Sequence, residues 1–165
     1  LNAGVLVPLV CNDGVPEIIF TRRADNLPTH SGEISFPGGV KDPEDKSIEE
    51  TAIRETEEEI GIPKENIKII EKLDEEISVH KVLVTPFLAE IKGGIELENL
   101  NIQKSEVASV IKISISDLLR CNYWNEVWVR KDDKVRVHFF GYNELVIWGL
   151  TGRILYKLLN KFKQT

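Results

Sequence analysis

A chain of 165 residues with 42% hydrophobic and 29% charged side chains has the composition of a soluble globular protein of one domain, and not of a disordered or fibrous chain. Its net charge of -6 excludes broad, charge-driven binding to nucleic acid or an anionic membrane, so a polyanionic substrate has to be met by a cation or by a few aimed basic groups. Two cysteines, Cys11 and Cys121, form neither a disulfide framework nor a zinc spacing, and no apolar run reaches the roughly 18 residues of a membrane span, so a cytoplasmic setting is expected.

The chain starts at Leu1 and contains no methionine, so an upstream segment is expected to precede it. "AGVLVPLV" and "PEIIFTRR" predict two strands joined at Asp13-Gly14, a strong hairpin signal. "GEISFPGGVKDPEDK" predicts a short strand and then a loop punctuated by Pro37, Gly38, Gly39 and Pro43. Ser47 with Glu50 forms an S-x-x-E capping box, and Gly61 followed by Pro63 supplies a stop, so a helix is predicted from Ile48 to Ile60. "IKIIEKL", "KVLVTPFLAEIK", "EVASVIKIS", "EVWVRK" and "VRVHFFGY" carry the β-branched and aromatic content of strands, with "DDK" turning between the last two. "SISDLL" reads as a short helical turn. The run from Leu145 to Phe162 places Ile147, Leu150, Ile154 and Leu158 at helical spacing and predicts a closing helix. Strands interleaved with two helices, without regular β-α alternation, predict an α/β (α+β) protein whose mixed sheet is sandwiched between helices.

The stretch "IRETEEEIGI" crowds Glu55, Glu57, Glu58 and Glu59 into the end of the first helix, where the macrodipole is negative and carboxylates three or four residues apart repel. At about 100° per residue Glu55, Glu58 and Glu59 share one surface while Glu57 points elsewhere. Arg54 lies next to Glu58 and is able to fix a carboxylate through a bidentate contact. Ala52 and Thr56 are small on the side that would press against the sheet. Hard carboxylate oxygens, joined by backbone carbonyls from the Gly-Gly loop, suit Mg²⁺ or Mn²⁺. The plain alternative is a solvated acidic face with an ordinary ion pair. An EF-hand spacing is absent.

"GVKDPEDKSIEETAIRETEEEIGI", Gly39 to Ile62, resembles the Nudix box, G-x5-E-x7-R-E-U-x-E-E-x-G-U with U aliphatic, through Arg54, Glu55, Glu58, Glu59, Gly61 and Ile62. Asp45 stands at the first acidic position, with eight residues rather than seven between it and Arg54, and Thr56 stands where an aliphatic residue is usual. Upstream, "IFTRRADNLPTHSGEISFPGG" resembles the signature of the coenzyme A pyrophosphatases of that superfamily through Thr21, Arg23, Leu27, His30, Gly32 and Phe36 to Gly39, with Pro28 in place of an arginine and Ala24 in place of a serine. "IWGLT", Ile147 to Thr151, is similar to the start of that subfamily's final helix.

The resemblance implies a Nudix-type α/β/α sandwich and metal-dependent hydrolysis of a nucleoside diphosphate-linked compound, with coenzyme A or acyl-coenzyme A yielding 3′,5′-ADP and 4′-phosphopantetheine. It assigns Glu55, Glu58, Glu59 and a main-chain oxygen of Gly38 to Mg²⁺ or Mn²⁺. Catalytic work falls to Glu55, Glu58 and Arg54, with Glu106 on a later loop as a further candidate base. Arg23, His30 and Gly39 are the expected substrate contacts, and Arg22 is expected on the opposite face. His80 and His138 read as lone strand histidines of structural use, and Trp124, Trp128 and Trp148 as core residues. The implied partner is a small nucleotide, with neither nucleic acid nor membrane, and a homodimer is left open. Two alternatives stand beside this: a pyrophosphatase of ADP-ribose or another nucleoside diphosphate derivative, and a Nudix-like module that binds a nucleotide without cleaving it.

Overall fold

Asp13 and Gly14 take φ values of 51° and 80°, the left-handed conformation a two-residue hairpin turn needs. They join β1 (Asn2–Asn12) to β2 (Val15–Arg23), with Asn12 opposite Val15. The computed structural model describes residues 1–28 and 32–164, and the chain divides into two units, Leu1–Ser114 and Ile115–Thr165. The first unit continues with β3 (Ile34–Ser35), β4 (Gly38–Val40), α1 (Ile48–Ile60), β5 (Ile67–Lys72), β6 (Glu76–Ile77), β7 (Leu83–Ile91) and β8 (Val107–Ser114). Its sheet runs β3-β2-β1-β7-β5, with β4 beside β1, β6 beside β7 and β8 beside β2. β1 and β7 are parallel while the other pairs are antiparallel, so the sheet is mixed, as the sequence pattern implied.

The helix boundaries match the capping signals. Ser47 accepts the Glu50 N–H at 3.1 Å, while the Glu50 carboxylate takes the N–H of Lys46 and not that of Ser47. Gly61 closes the helix at φ 75°, its N–H on the carbonyl of Glu57. Glu57 itself turns away from its acidic neighbours and accepts the Lys64 N–H at 3.0 Å, capping the turn that follows. The face of α1 that carries Ala52 and Ile60 packs with Leu6 and Val10 of β1 and Phe87, Ala89 and Ile91 of β7 in one apolar core. A Cβ on Gly4 would lie 2.4 Å from the Ile48 carbonyl oxygen and 3.2 Å from the Ala52 nitrogen, so the helix backbone rests directly on β1.

The second unit holds α2 (Ile115–Arg120), β9 (Asn122–Arg130), β10 (Asp133–Tyr142), β11 (Leu145–Ile147) and α3 (Gly149–Lys163), with the strands in the order β11-β10-β9. Four sequence expectations are corrected here. The turn between β9 and β10 is Lys131-Asp132, with Asp133 already paired to Arg130. Leu145 to Ile147 form a strand and not the start of the helix: Asn143 at φ 54° reverses the chain, and Gly149 at φ 68° separates β11 from α3. The tryptophans are not core residues. Trp124, Trp128 and Trp148 are 36%, 45% and 37% exposed, because strand alternation sends Tyr123 and His138, not the tryptophans, towards Tyr156 of α3. His138 is buried, stacked 3.9 Å from the Tyr156 ring and within 2.7 Å of the Tyr123 hydroxyl, whereas His80 lies in an exposed turn and not in a strand. Among the described residues no helix is long and apolar enough to cross a membrane.

Gly4→Ala is expected to cost about 1–3 kcal/mol of stability, because the added methyl meets main-chain atoms that cannot turn aside. Urea unfolding followed by circular dichroism measures it; a change under about 0.5 kcal/mol would mean that α1 sits less tightly on β1.

Candidate metal and catalytic site

Seating α1 on β1 carries its acidic end over the Gly38–Gly39 strand. Gly38 N–H donates to Glu59 Oε2 at 3.0 Å, and Glu59 is only 6% exposed. A Cβ on Gly39 would fall 2.7 to 2.9 Å from the carboxyl atoms of Glu55, so that carboxylate lies against bare backbone that any side chain would fill. The Gln103 N–H meets the Glu59 main-chain carbonyl at 2.8 Å, and Gly61 leaves room for the Asn101 backbone. These contacts hold the 101–107 loop against the end of α1, and Glu106 on that loop acts electrostatically on both Glu55 and Glu59.

Arg54 organises the other carboxylates. Its Nε and Nη2 donate to Asp45 Oδ1 and Oδ2 at 2.9 and 3.0 Å, a bidentate pair, while Nη1 reaches Glu55 at 3.0 Å and Glu58 at 3.1 and 3.2 Å. Asp42 adds a looser ion pair at 3.4 Å. Asp45 also accepts the Thr51 hydroxyl at 2.8 Å and the Asp42 N–H at 2.9 Å. The Arg54 guanidinium and these donors hold the Asp45 carboxyl well below the usual carboxylate range, against the cost of its burial. The carboxylates push Arg54 up in turn, Asp45 foremost.

Glu55 and Glu59 move the other way. Burial raises Glu55, opposed by Arg54 and reinforced by Glu58 and Glu106. Burial pushes Glu59 up to about 8; the Gly38 N–H opposes this, and Glu55 and Glu106 add to it.

The structure thus brings together Glu55, Glu59, Glu106, Gly38 and Gly39, with Glu58 more exposed on the Arg54 side. Arg23 ends β2 at a register shift; its Nε is buried without a hydrogen-bond partner among the described residues, and the N–H of the next residue, Ala24, is held by the Glu106 carbonyl. Arg22 faces solvent in an ion pair with Asp25. His30 lies outside the described residues. Sequence reasoning gave no role to Asp45 and did not find the contacts of Asn101 and Gln103. Only Asp45 had a local signal, its place in the motif.

The NUDIX domain family model matches residues 1–135. The chain belongs to the Nudix family. Proteins named uncharacterized Nudix hydrolase NudL are similar to it along most of its length. That of Photorhabdus laumondii is 37% identical over 95% of this chain and 82% of its own, and that of Yersinia enterocolitica 36% identical over 95% and 79%. Among solved structures, a C. elegans Ap4A hydrolase binary complex superposes with a TM-score of 0.59 at 24% identity, covering 72% of this chain and 83% of that one. The NUDIX domain of Shewanella oneidensis NrtR complexed with ADP ribose also gives 0.59, at 17% identity, covering 99% and 86%. These likenesses are of fold.

Nudix proteins generally use divalent metal ions, and the residues present fit one. No group of three or more His, Cys, Asp or Glu side chains among the described residues is already drawn into a metal cluster, and Arg54 now occupies Glu55 and Glu58. What fits is the donor chemistry: hard carboxylate oxygens beside a glycine backbone, with Glu59 pushed up to about 8 by burial and like charges, an imbalance that a divalent cation relieves.

In chelator, stability should therefore fall as pH rises from about 4.5, where an unfolded glutamate ionises, and level off above about 8, since the native state binds the extra proton between those values. Urea midpoints across that range should slope downward in the native chain and lose that component in Glu59→Gln. Equal slopes in the two proteins would show that Glu59 is not the group responsible.

Proposed function

We propose that this Nudix protein hydrolyses the diphosphate bridge of coenzyme A or its acyl derivatives, releasing 3′,5′-ADP and (acyl-)4′-phosphopantetheine. The observation that carries the hydrolase reading is the half-buried Glu55 and the buried Glu59 side by side next to Gly38 and Gly39, with Glu106 acting on both. Coenzyme A as substrate is supported by the upstream signature, Thr21, Arg23, Leu27, His30, Gly32 and Phe36 to Gly39.

Glu55, Glu58, Glu59 and the main-chain oxygen of Gly38 would hold Mg²⁺ or Mn²⁺, which when bound supplies counter-charge to the phosphoryl oxygens and acidifies water. Arg54, anchored by Asp45, orients Glu55 and Glu58. Glu106, or one of the α1 carboxylates, takes the proton of the attacking water. The Arg23 guanidinium, whose buried Nε has no partner among the described residues, would meet the substrate's anionic groups, with His30 and Gly39 as further contacts. A water oxygen bonds to one phosphorus, the bridging P–O bond breaks, and two phosphate monoesters leave.

A second reading has its own observation: the NrtR domain of like fold was solved with ADP ribose. ADP-ribose as substrate is therefore the alternative specificity.

Incubation with coenzyme A and with ADP-ribose, each with Mg²⁺ or Mn²⁺, and chromatography of the products separates these. The expected result is 3′,5′-ADP from coenzyme A at the higher kcat/KM. Glu58→Gln and Glu59→Gln should each lower kcat by about 100-fold or more while the protein stays folded. Faster cleavage of ADP-ribose would replace the coenzyme A reading. Cleavage of neither, with nucleotide still bound, would make the chain a binding module.

A further inference from the structure

In the second unit α3 lies directly against β10 at His138. A Cβ on Gly152 would fall 2.6 Å from the His138 carbonyl oxygen, so helix backbone rests on strand backbone there. One turn further along α3, Tyr156 stacks on the buried His138 ring.

The protonation state of that ring is fixed by the hydrogen bonds that lead to it. A guanidinium only donates, so the contact of Arg136 Nη1 with Asn125 makes Oδ1 the acceptor and Nδ2 the donor of that amide. Asn125 Nδ2 donates to the Tyr123 hydroxyl oxygen at 3.3 Å, and the hydroxyl hydrogen is then directed at His138 Nδ1, 2.7 Å away. Each link sets the direction of the next, and the last leaves Nδ1 an acceptor. The imidazole is therefore neutral, with its proton on Nε2.

Nothing around the ring favours a second proton except the face of Tyr156, which attracts a cation. Burial, and then the cations Arg136 on its own strand and Arg153 on α3, hold the imidazole below the usual histidine value. On α2, Asp117 is engaged by Arg120 at 3.1 Å and by the Tyr142 hydroxyl at 3.0 Å. On β9, Glu126 lies on the other face, where its carboxylate accepts the indole N–H of Trp124 and of Trp128. β11 has no titratable side chain. Among the described residues His138 forms no ion pair with a carboxylate.

We propose that His138 is an acid-sensitive clasp between α3 and the β9–β10 ribbon. A proton added at Nδ1 meets the Tyr123 hydroxyl hydrogen already directed there, so the hydroxyl turns away or the ring leaves its place on Tyr156, and α3 loosens from β10. Because the native state holds the ring below its unfolded value, this contribution is whole above about pH 6.5 and is lost as pH falls below it. Glu59 works in the opposite sense, since it takes up its proton more readily in the native state, so acid loosening of α3 cannot come from it.

Imidazole nitrogen NMR from about pH 7.5 to about pH 5 tests this, together with hydrogen exchange of α3 by mass spectrometry, corrected for the intrinsic effect of pH. At the upper end the ring should carry its proton on Nε2 alone. By the lower end α3 should exchange about fivefold faster or more, and recover when neutral pH is restored. His138→Asn keeps an acceptor near the position of Nδ1 without a titrating ring, and its α3 exchange should change less than about twofold over that range. Tyr123→Phe removes the donor to Nδ1, so its ring should titrate at a higher pH than the native one. A native ring protonated at Nδ1 at neutral pH, α3 exchange indifferent to acid, or the same acid response in His138→Asn would overturn the proposal. If His138→Asn does not fold, the Tyr123→Phe titration decides, and an unchanged midpoint there overturns the proposal as well.

Discussion

The close approach of α1 to β1 governs the first unit. Gly4 has no side chain, so the backbone of Ile48 and Ala52 lies where a Cβ would be, and Gly38 in turn sits where its own Cβ would strike the Gly4 carbonyl and Val5. Gly39 extends the bare lane beneath Glu55. A helix held this near drives its last carboxylates into the strand, and that is why Glu59 can accept a backbone N–H from Gly38 while almost closed off from water. Packing of ordinary apolar residues, Leu6, Ile60 and Phe87 among them, supplies the force that keeps the helix there.

The electrostatics follow from that placement. One guanidinium serves Asp42, Asp45, Glu55 and Glu58, and its bidentate pair of hydrogen bonds goes to Asp45, the most deeply buried of the four. Glu59 has the Gly38 N–H in its favour and, against it, burial and the charges of Glu55 and Glu106. The fold therefore holds more negative charge than its own groups neutralise. A rigid anchor on one side and uncompensated carboxylates on the other is an arrangement suited to accepting a cation without refolding.

The second unit shows the opposite economy. His138, Tyr123 and Tyr156 are stacked inside it, and the three tryptophans are left outside. Strand alternation puts one row of the ribbon, Tyr123 and His138, against Tyr156 of α3 and leaves Trp124 and Trp128 on the other row at the surface.

Local chemistry was legible in the sequence. The Asp13-Gly14 turn, the Ser47 cap, the Gly61 stop and the spacing of Arg54, Glu55, Glu58 and Glu59 each depend on residues a few positions apart, and the structure has the turn and the helix ends where those residues place them. The final helix was read too long because Ile147 fits a helical period as well as a strand, and only its pairing with Phe140 across the hairpin decides between them. The tryptophans were misplaced for a related reason: alternation fixes that Trp124 and Trp128 share a face, but which face α3 covers is settled by packing. Tertiary structure alone decided that Asp45 anchors Arg54, that Gln103 and Asn101 close against the end of α1, and that Glu106 lies within electrostatic reach of Glu59. Asn101, Gln103 and Glu106 reach α1 from tens of residues away, and Asp45 meets Arg54 from a loop outside the helix, so no periodicity within one segment carries these contacts.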